Sequence, residues 1–122
     1  HRELYMGIQR IDTNKRMSQA VIHGNTIYVA GQVALDAPGT PVADQTSDIL
    51  GRIDRLLAEG GSNKSKLLSA TIWLASMDHF NEMNGVWDAW LSPGDAPARA
   101  CVEARLAAPQ FTVEIAVIAA ID

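Results

Sequence analysis

The stretch Val113-Glu114-Ile115-Ala116-Val117-Ile118-Ala119-Ala120 decides the fold of this 122-residue chain. In an extended strand, successive side chains of this run point to opposite faces of a sheet. Both sets of side chains are apolar, and Glu114 is the single charged residue. One set packs on a core, whereas the second face of a two-layer domain should meet water and carry polar residues. A subunit partner that covers the second face resolves this conflict, so the stretch predicts a closed homo-oligomer.

The rest of the chain alternates between strand and helix patterns. Period-2 alternation predicts strands at 17–23, 26–30, 66–75, 98–106 and 111–121, with a further strand at about 8–11. Apolar residues at helical spacing predict helices between 41 and 61 and between 78 and 91. Thr40-Pro41 supplies an N-cap and a first helical residue, and Pro93-Gly94 stops the second helix. The order β-β-α-β-α-β-β predicts an α/β (α+β) domain in which a mixed sheet carries both helices on one face.

Length and composition predict one domain over residues 1–122. Hydrophobic residues make up 48% of the chain, which is enough for one core. The net charge of −4 and the lack of any run of Lys or Arg argue against nucleic acid or a membrane as partner. Cys101 is the only cysteine, residues 1–5 lack a signal-peptide core, and no apolar stretch approaches the roughly 18 residues that span a bilayer. These features favour a cytoplasmic protein that binds small molecules and other subunits.

Arg99 is the first candidate for chemistry. Alternation places it on one face of the strand at 98–106 with Cys101, Glu103 and Arg105, and leaves an apolar set on the other face. The apolar set is expected to face the helices, which would put Arg99 on the face predicted to be covered by a subunit. A guanidinium there requires an anion, and its fork geometry suits a carboxylate. The residues alone favour a structural ion pair with an Asp or Glu, and a carboxylate ligand is the alternative.

Glu114 is the second candidate, because it is the only charged residue between Phe111 and Ile121. Such a carboxylate is either paired with an arginine or held for proton transfer, and periodicity alone favours pairing.

Gly31, directly after a strand, can bring backbone groups close to a ligand, although a turn or bulge is the commoner reason for glycine there. Cys101 is expected to be a small buried residue rather than a nucleophile. The sequence holds no metal-ligand cluster and no phosphate or dinucleotide motif, so no metal and no cofactor are predicted.

Four segments together resemble the RidA/YjgF family, and the similarity runs from about Arg16 to Ala120. They are, in chain order, Ser18-Gln19-Ala20-Val21, Tyr28-Val29-Ala30-Gly31-Gln32, Pro97-Ala98-Arg99-Ala100-Cys101-Val102-Glu103 and Val113-Glu114-Ile115. The resemblance implies a chorismate-mutase-like fold that assembles as a homotrimer with three clefts between subunits.

The resemblance also implies an activity and a set of site residues. The family's enzymes hydrolyse reactive enamine or imine acids, such as 2-iminopropionate and 2-iminobutyrate, to 2-oxo acids and ammonia without a cofactor. The arginine that matches Arg99 holds the substrate carboxylate, and the glutamate that matches Glu114 positions or activates the attacking water. By the same match, backbone groups near Gly31 and Cys101 would line the cleft.

The segment Arg16-Met17-Ser18-Gln19 departs from the family pattern. Many imine hydrolases of the family carry an aromatic residue, typically tyrosine, at the position of Met17. A methionine cannot donate the phenolic hydrogen bond or close the cleft with a flat ring. The resemblance makes a 2-iminobutanoate/2-iminopropanoate deaminase the leading interpretation, and Met17 leaves two alternatives open. One is a trimeric protein that binds a small carboxylate without turnover, and the other is a deaminase for a larger substrate.

Overall fold

A computed structural model describes residues 7–122 as six strands and two α-helices. The elements are β1 (Ile8–Thr13), β2 (Ser18–His23), β3 (Thr26–Gln32), α1 (Val42–Glu59), β4 (Leu67–Leu74), α2 (Phe80–Trp90), β5 (Ala98–Glu103) and β6 (Val113–Ala120). Two short 3₁₀ helices, Lys64–Lys66 and Met77–His79, precede β4 and α2. The predicted order of elements is confirmed, and the prediction for residues 1–5 lies outside the described residues. None of the helices in this range is long and apolar enough to cross a membrane.

The six strands form one mixed sheet in the order β1-β2-β3-β6-β4-β5. β4 and β5 are parallel, and every other pair of neighbouring strands is antiparallel. The parallel pair is possible because α2 returns the chain to the end of the sheet where β4 begins. β6 lies between β3 and β4, so the stretch that opened the sequence analysis occupies the interior of the sheet. The tight turn between β2 and β3 has Gly24 at φ 61°, a backbone conformation that glycine adopts without strain.

Both helices cover the same face of the sheet, as predicted. The core between them contains the alternate residues of each inner strand and the apolar stripes of both helices: Ala20, Ile22, Ile27, Val29, Ile49, Leu50, Ile53, Leu56, Leu57, Ala70, Ile72, Leu74, Met83, Trp87, Val113, Ile115, Val117 and Ala119. Burying apolar side chains contributes roughly 25 cal/mol per Å² removed from water, so this layer supplies most of the stabilisation.

The start of α1 differs from the sequence expectation. Pro41 occupies the N-cap position without a side-chain hydrogen bond, and the Thr40 hydroxyl donates to the Ala37 carbonyl oxygen instead of capping the helix. The backbone N–H of Ala43 donates to Glu82 Oε2 of α2 at 3.1 Å. A carboxylate from the neighbouring helix therefore satisfies a free amide of the first turn, where the helix dipole favours negative charge.

A register shift between Leu67 and Ser69 changes the face of one residue in β4. Strict alternation along 66–75 would put Leu68 on the same side of the strand as Ala70 and Ile72. In the structure Leu67 is buried and Leu68 is exposed. The irregularity turns Leu68 outwards, and normal alternation resumes from Ser69.

We call the sheet surface away from α1 and α2 the open face. Its centre carries Tyr28, Thr71, Ala116 and Ile118, which line a shallow groove of about 250 Å³. The side chain of Tyr28 is 47% exposed. Within residues 7–122 no second layer covers this apolar surface, and the covering of this face by another subunit stays a prediction.

We predict that Ala116→Asp separates the subunits of the native protein. Association through the open face would bury a carboxylate at its centre without a partner, which is strongly unfavourable. Sedimentation velocity should show a monomer, while the far-ultraviolet circular dichroism stays that of the wild type. The matched control is Ala58→Asp on the exposed side of α1, which should retain the oligomeric mass. A monomeric wild-type protein at micromolar concentration would contradict the prediction.

Candidate functional site

Glu114 lies on the open face, between the buried residues Val113 and Ile115 of β6. Its side chain is half-buried, and this burial raises the pKa of the carboxyl above its ordinary value of 4.5. Among residues 7–122 it forms no ion pair and no hydrogen bond. The arginine partner that periodicity favoured is therefore absent from the described part of the chain. An unpaired, partly desolvated carboxylate with a raised pKa is a candidate group for accepting and delivering a proton.

A β-bulge in β3 makes room for this carboxylate. Val29 pairs with Val117 and Gln32 pairs with Ile115, so that Ala30 and Gly31 together oppose a single residue of β6. A Cβ atom at Gly31 would collide with Oε2 of Glu114 and lie 3.0 Å from its Cδ. The missing side chain of Gly31 lets the Glu114 carboxylate occupy this position, and the residue lies in a bulge, one of the alternatives that the sequence left open.

The neighbouring polar contacts hold the bulge against β2. Gln32 is buried, and its Nε2 donates to Gln19 Oε1 at 2.9 Å and to the Ala30 carbonyl oxygen at 3.0 Å. Met17 immediately precedes β2 at the same end of the sheet as Gly31, and its side chain is 40% exposed. The structure therefore brings Met17, Gly31 and Glu114 to one end of the sheet.

The register of β5 corrects the expected orientation of Arg99. β5 is parallel to β4, with Arg99 beside Ala70 and Cys101 beside Ile72. Because Ala70 and Ile72 are buried under the helices, Arg99 and Cys101 also face the helices. The apolar set that includes Val102 lies on the open face, so the expectation that it packs against the helices was wrong. β5 is an edge strand with mostly exposed side chains, and its helix-facing positions do not have to be apolar.

The guanidinium of Arg99 lies across α2. Its Nη1 donates to Asn84 Oδ1 at 2.7 Å, and its Cζ lies 5.6 Å from the centroid of the Trp87 ring and 5.9 Å from that of Phe80. Within residues 7–122 Arg99 forms no ion pair with an Asp or Glu. The structural ion pair favoured by the sequence is therefore not found there, and donors of the guanidinium remain available for an external carboxylate.

Cys101 packs against the core next to Arg99. Burial raises the pKa of its thiol, and the positive charge of Arg99 opposes that rise less strongly. A raised pKa leaves less of the nucleophilic thiolate, and the expectation that Cys101 is not a nucleophile stays a prediction. Cys101 is partly buried with its side chain on the helix face, and its backbone lies in the edge strand β5.

A separate cleft of about 680 Å³ lies between the end of β5 and the start of β6, where Glu103, Arg105 and Phe111 contribute to its wall. β5 ends at Glu103 instead of the predicted Leu106, so Arg105 belongs to the loop and not to the strand face of Arg99. The Glu103 carboxylate accepts a hydrogen bond from the backbone N–H of Met77 at 2.9 Å. Neither Arg99 nor Glu114 lines this cleft, so its volume does not mark the candidate site.

The candidate residues thus form two groups on opposite faces of the same sheet. One group contains Glu114, Gly31 and Met17 on the open face, and the other contains Arg99 at the β5 edge on the helix face. The sequence analysis missed Asn84 as the hydrogen-bond partner of Arg99. The feature of the sequence that could have indicated this contact is Asn84 itself, a single amide four residues after Phe80 in an otherwise apolar stripe of α2.

Comparisons with known proteins match nearly all of the described residues to one protein family. The family described as endoribonuclease L-PSP matches residues 7–121. YoaB, a RutC family protein of Escherichia coli (strain K12), is 46% identical over 117 residues, which cover 95% of this chain and 100% of that protein. A RutC family protein of Haemophilus influenzae is 46% identical over 114 residues, covering 93% and 98%. The crystal structure of NMB1025, a YjgF family member from Neisseria meningitidis, has 47% identity and a TM-score of 0.92, covering 96% of this chain and 97% of that one.

We predict that Gly31→Ala moves the Glu114 carboxylate away from β3. The added methyl group occupies the position of Oε2, and the end of a flexible side chain can yield by turning towards solvent. The pKa of Glu114 should then fall towards 4.5, because burial is what raises it. A carbon-13 NMR titration of the glutamate carboxyl groups measures this shift. Gly51→Ala, on an open surface of α1, is the control, and an unchanged Glu114 pKa in Gly31→Ala would contradict the prediction.

Proposed function

The chain belongs to the endoribonuclease L-PSP family, which is the RidA/YjgF family that its motifs resemble, and on that premise we propose that it hydrolyses small 2-imino acids. The substrates are 2-iminopropionate and 2-iminobutyrate, and the products are the 2-oxo acids and ammonia. The reaction takes place in the cytoplasm, in clefts between the subunits of a homotrimer. Arg99 and Glu114 reach each cleft from different subunits.

One observation carries this proposal. Arg99 and Glu114 have no charged partner within residues 7–122, and they lie on opposite faces of one sheet. A single chain therefore offers a free guanidinium and a free carboxylate that do not reach the same ligand. The open face supports a second subunit as the means of bringing them together, since its apolar groove begins along the strand that carries Glu114.

Arg99 would bind the carboxylate of the substrate. Its Nη1 is occupied by Asn84, and the remaining N–H groups can hold a carboxylate through two parallel hydrogen bonds. This contact fixes the distance of the adjacent imine carbon from the guanidinium. Orientation of this kind contributes to catalysis because the reacting groups no longer have to find each other in solution.

Glu114 would act on the water. Its carboxylate accepts a proton as the water oxygen forms a bond to C2 of the imine, and passes that proton to the imine nitrogen. In the resulting carbinolamine, the hydroxyl proton moves through the same carboxylate to the nitrogen, the C–N bond breaks, ammonia leaves with the electron pair of that bond, and C2 becomes the carbonyl of the 2-oxo acid. One water is consumed for each ammonia released, and no oxidant or reductant is required. The raised pKa of Glu114 brings it closer to neutral pH, where a group can exchange protons in both directions.

Met17 supports a second candidate, which is binding of a small carboxylate without turnover. The residue stands where the family's imine hydrolases carry an aromatic ring, and it lies at the same end of the sheet as Gly31. A flexible thioether closes a cleft less rigidly than a flat ring and donates no hydrogen bond. The same feature is compatible with a larger substrate, because a methionine side chain adapts to different shapes.

The family description also names an endoribonuclease activity. The net charge of −4 disfavours a polyphosphate substrate, because a protein binds nucleic acid mainly by neutralising phosphates with Lys and Arg. A small anionic substrate requires only one guanidinium, which Arg99 supplies. The charge of the chain therefore favours the imino acid.

We predict that the wild-type protein accelerates ammonia release from 2-iminobutyrate, generated in place by an amino-acid oxidase. Arg99→Ala and Glu114→Gln should each lower kcat/KM by about 100-fold or more, the usual contribution of one acid/base or orienting group. Arg55→Ala, which removes a surface ion pair on α1, is the control and should retain activity. Release at the spontaneous rate by the wild type would refute the deaminase.

The same samples separate binding from turnover. If 2-oxobutyrate raises the melting temperature of the wild type but not of Arg99→Ala, while ammonia release stays at the spontaneous rate, the protein is a carboxylate-binding protein. Faster release from branched or aromatic imino acids than from 2-iminobutyrate would identify the larger substrate.

A further inference from the structure

A stripe of three residues on α2 receives the side chain of Arg99. Phe80, Asn84 and Trp87 are spaced four and three residues apart, so they follow one another along the same side of the helix. The Arg99 guanidinium bonds to Asn84 in the middle of the stripe and lies within 6 Å of the ring centroids at both ends. An exposed arginine without such contacts would sample many rotamers, because its side chain has four rotatable bonds.

The contacts of the stripe also change how the guanidinium interacts with an anion. A cation over an aromatic ring is attracted by the ring quadrupole and gives up part of its hydration. The Asn84 oxygen accepts from one N–H only, so the stripe neutralises no charge. The result is a guanidinium that is held in place and is not neutralised by a neighbouring carboxylate. These are the properties that strengthen a bidentate contact with a carboxylate.

Trp87 is suited to hold this orientation because it does not move freely itself. Its side chain is 3% exposed, and it belongs to the core between the helices and the sheet. Phe80 is less buried and Asn84 is partly exposed. A tryptophan anchored in the core therefore presents a fixed ring to a charged side chain at the edge of the sheet.

We infer that Trp87 and Asn84 are positioning residues for the carboxylate subsite, which set the orientation of the Arg99 guanidinium before the ligand binds. This inference rests on the proposed function for the identity of the ligand, a small 2-imino or 2-oxo acid. The positioning itself is a property of the protein without ligand. Trp87 and Asn84 act through Arg99 and do not contact the substrate.

The first measurement uses the protein without ligand. The Arg99 Nε–H resonance should be shifted upfield by the ring currents and should exchange slowly with water. Trp87→Phe should keep most of the shift because the aromatic face is retained, whereas Trp87→Leu should reduce it to the part that Phe80 causes. Phe111→Leu is the control, since Phe111 lines the separate cleft beyond β5 and is not one of the two rings that lie near Arg99. An Arg99 resonance at the position of a free arginine in the wild type would overturn the inference.

The second measurement separates positioning from a purely structural role. Trp87→Leu should raise KM for 2-iminobutyrate about tenfold and change kcat by less than about twofold, because the lost contact orients a binding group. Trp87→Phe should restore most of the loss. Loss of stability in Trp87→Leu with an unchanged KM would show that Trp87 is only a core residue and would overturn the inference.

Asn84→Asp keeps the inference testable if the tryptophan variant fails to fold. A carboxylate within hydrogen-bond distance of Nη1 would pair with Arg99 and compete with the substrate, so KM should rise more than in Asn84→Ala. Equal KM values for the wild type, Asn84→Ala and Asn84→Asp would overturn the inference. If the wild type neither turns over the imine nor binds 2-oxobutyrate, the proposed function fails, and the NMR measurement still decides the positioning on its own.

Discussion

The pleat of β6 is the constraint on which the rest of the structure depends. Its alternate residues Val113, Ile115, Val117 and Ala119 are all buried beneath the helices, which fixes the direction of every side chain between them. A one-residue slip would place Glu114 in the core and expose four apolar residues. The core therefore holds the Glu114 carboxylate on the open face, and the bulge at Gly31 gives it space there.

The parallel register of β4 and β5 also fixes the direction of the Arg99 side chain, but on the opposite face of the sheet from Glu114. Arg99 lies beside a buried alanine of β4, so its side chain is directed to the helix layer, where α2 receives it. The sheet thus separates a cation and a carboxylate that would otherwise neutralise each other as an ion pair. A protein that keeps both groups unpaired retains a binding group and a proton-transfer group for a ligand. In the proposed function a second subunit brings the two groups together.

Sequence reasoning predicted the elements, their order and the apolar open face, because these follow from periodicity over long segments such as 42–59 and 113–120. It was wrong about the face of Arg99, because alternation divides a strand into two sets but does not say which set meets the core. For an interior strand hydrophobicity decides this question. For the edge strand β5 both faces are largely exposed, and only the pairing with β4 decides it. Nor could the sequence show that Asn84 bonds to Arg99, since the contact joins two elements through their packing.

The central claim is that one cleft takes Arg99 from one subunit and Glu114 from another. The most direct test is to dissociate the inactive variants Arg99→Ala and Glu114→Gln, mix them in equal amounts and allow them to reassemble. Random mixing in a closed ring leaves about a quarter of the clefts with both native residues, so about a quarter of the wild-type activity should return. Native mass spectrometry confirms that mixed oligomers have formed. Mixed oligomers with no more activity than either variant alone would contradict the account.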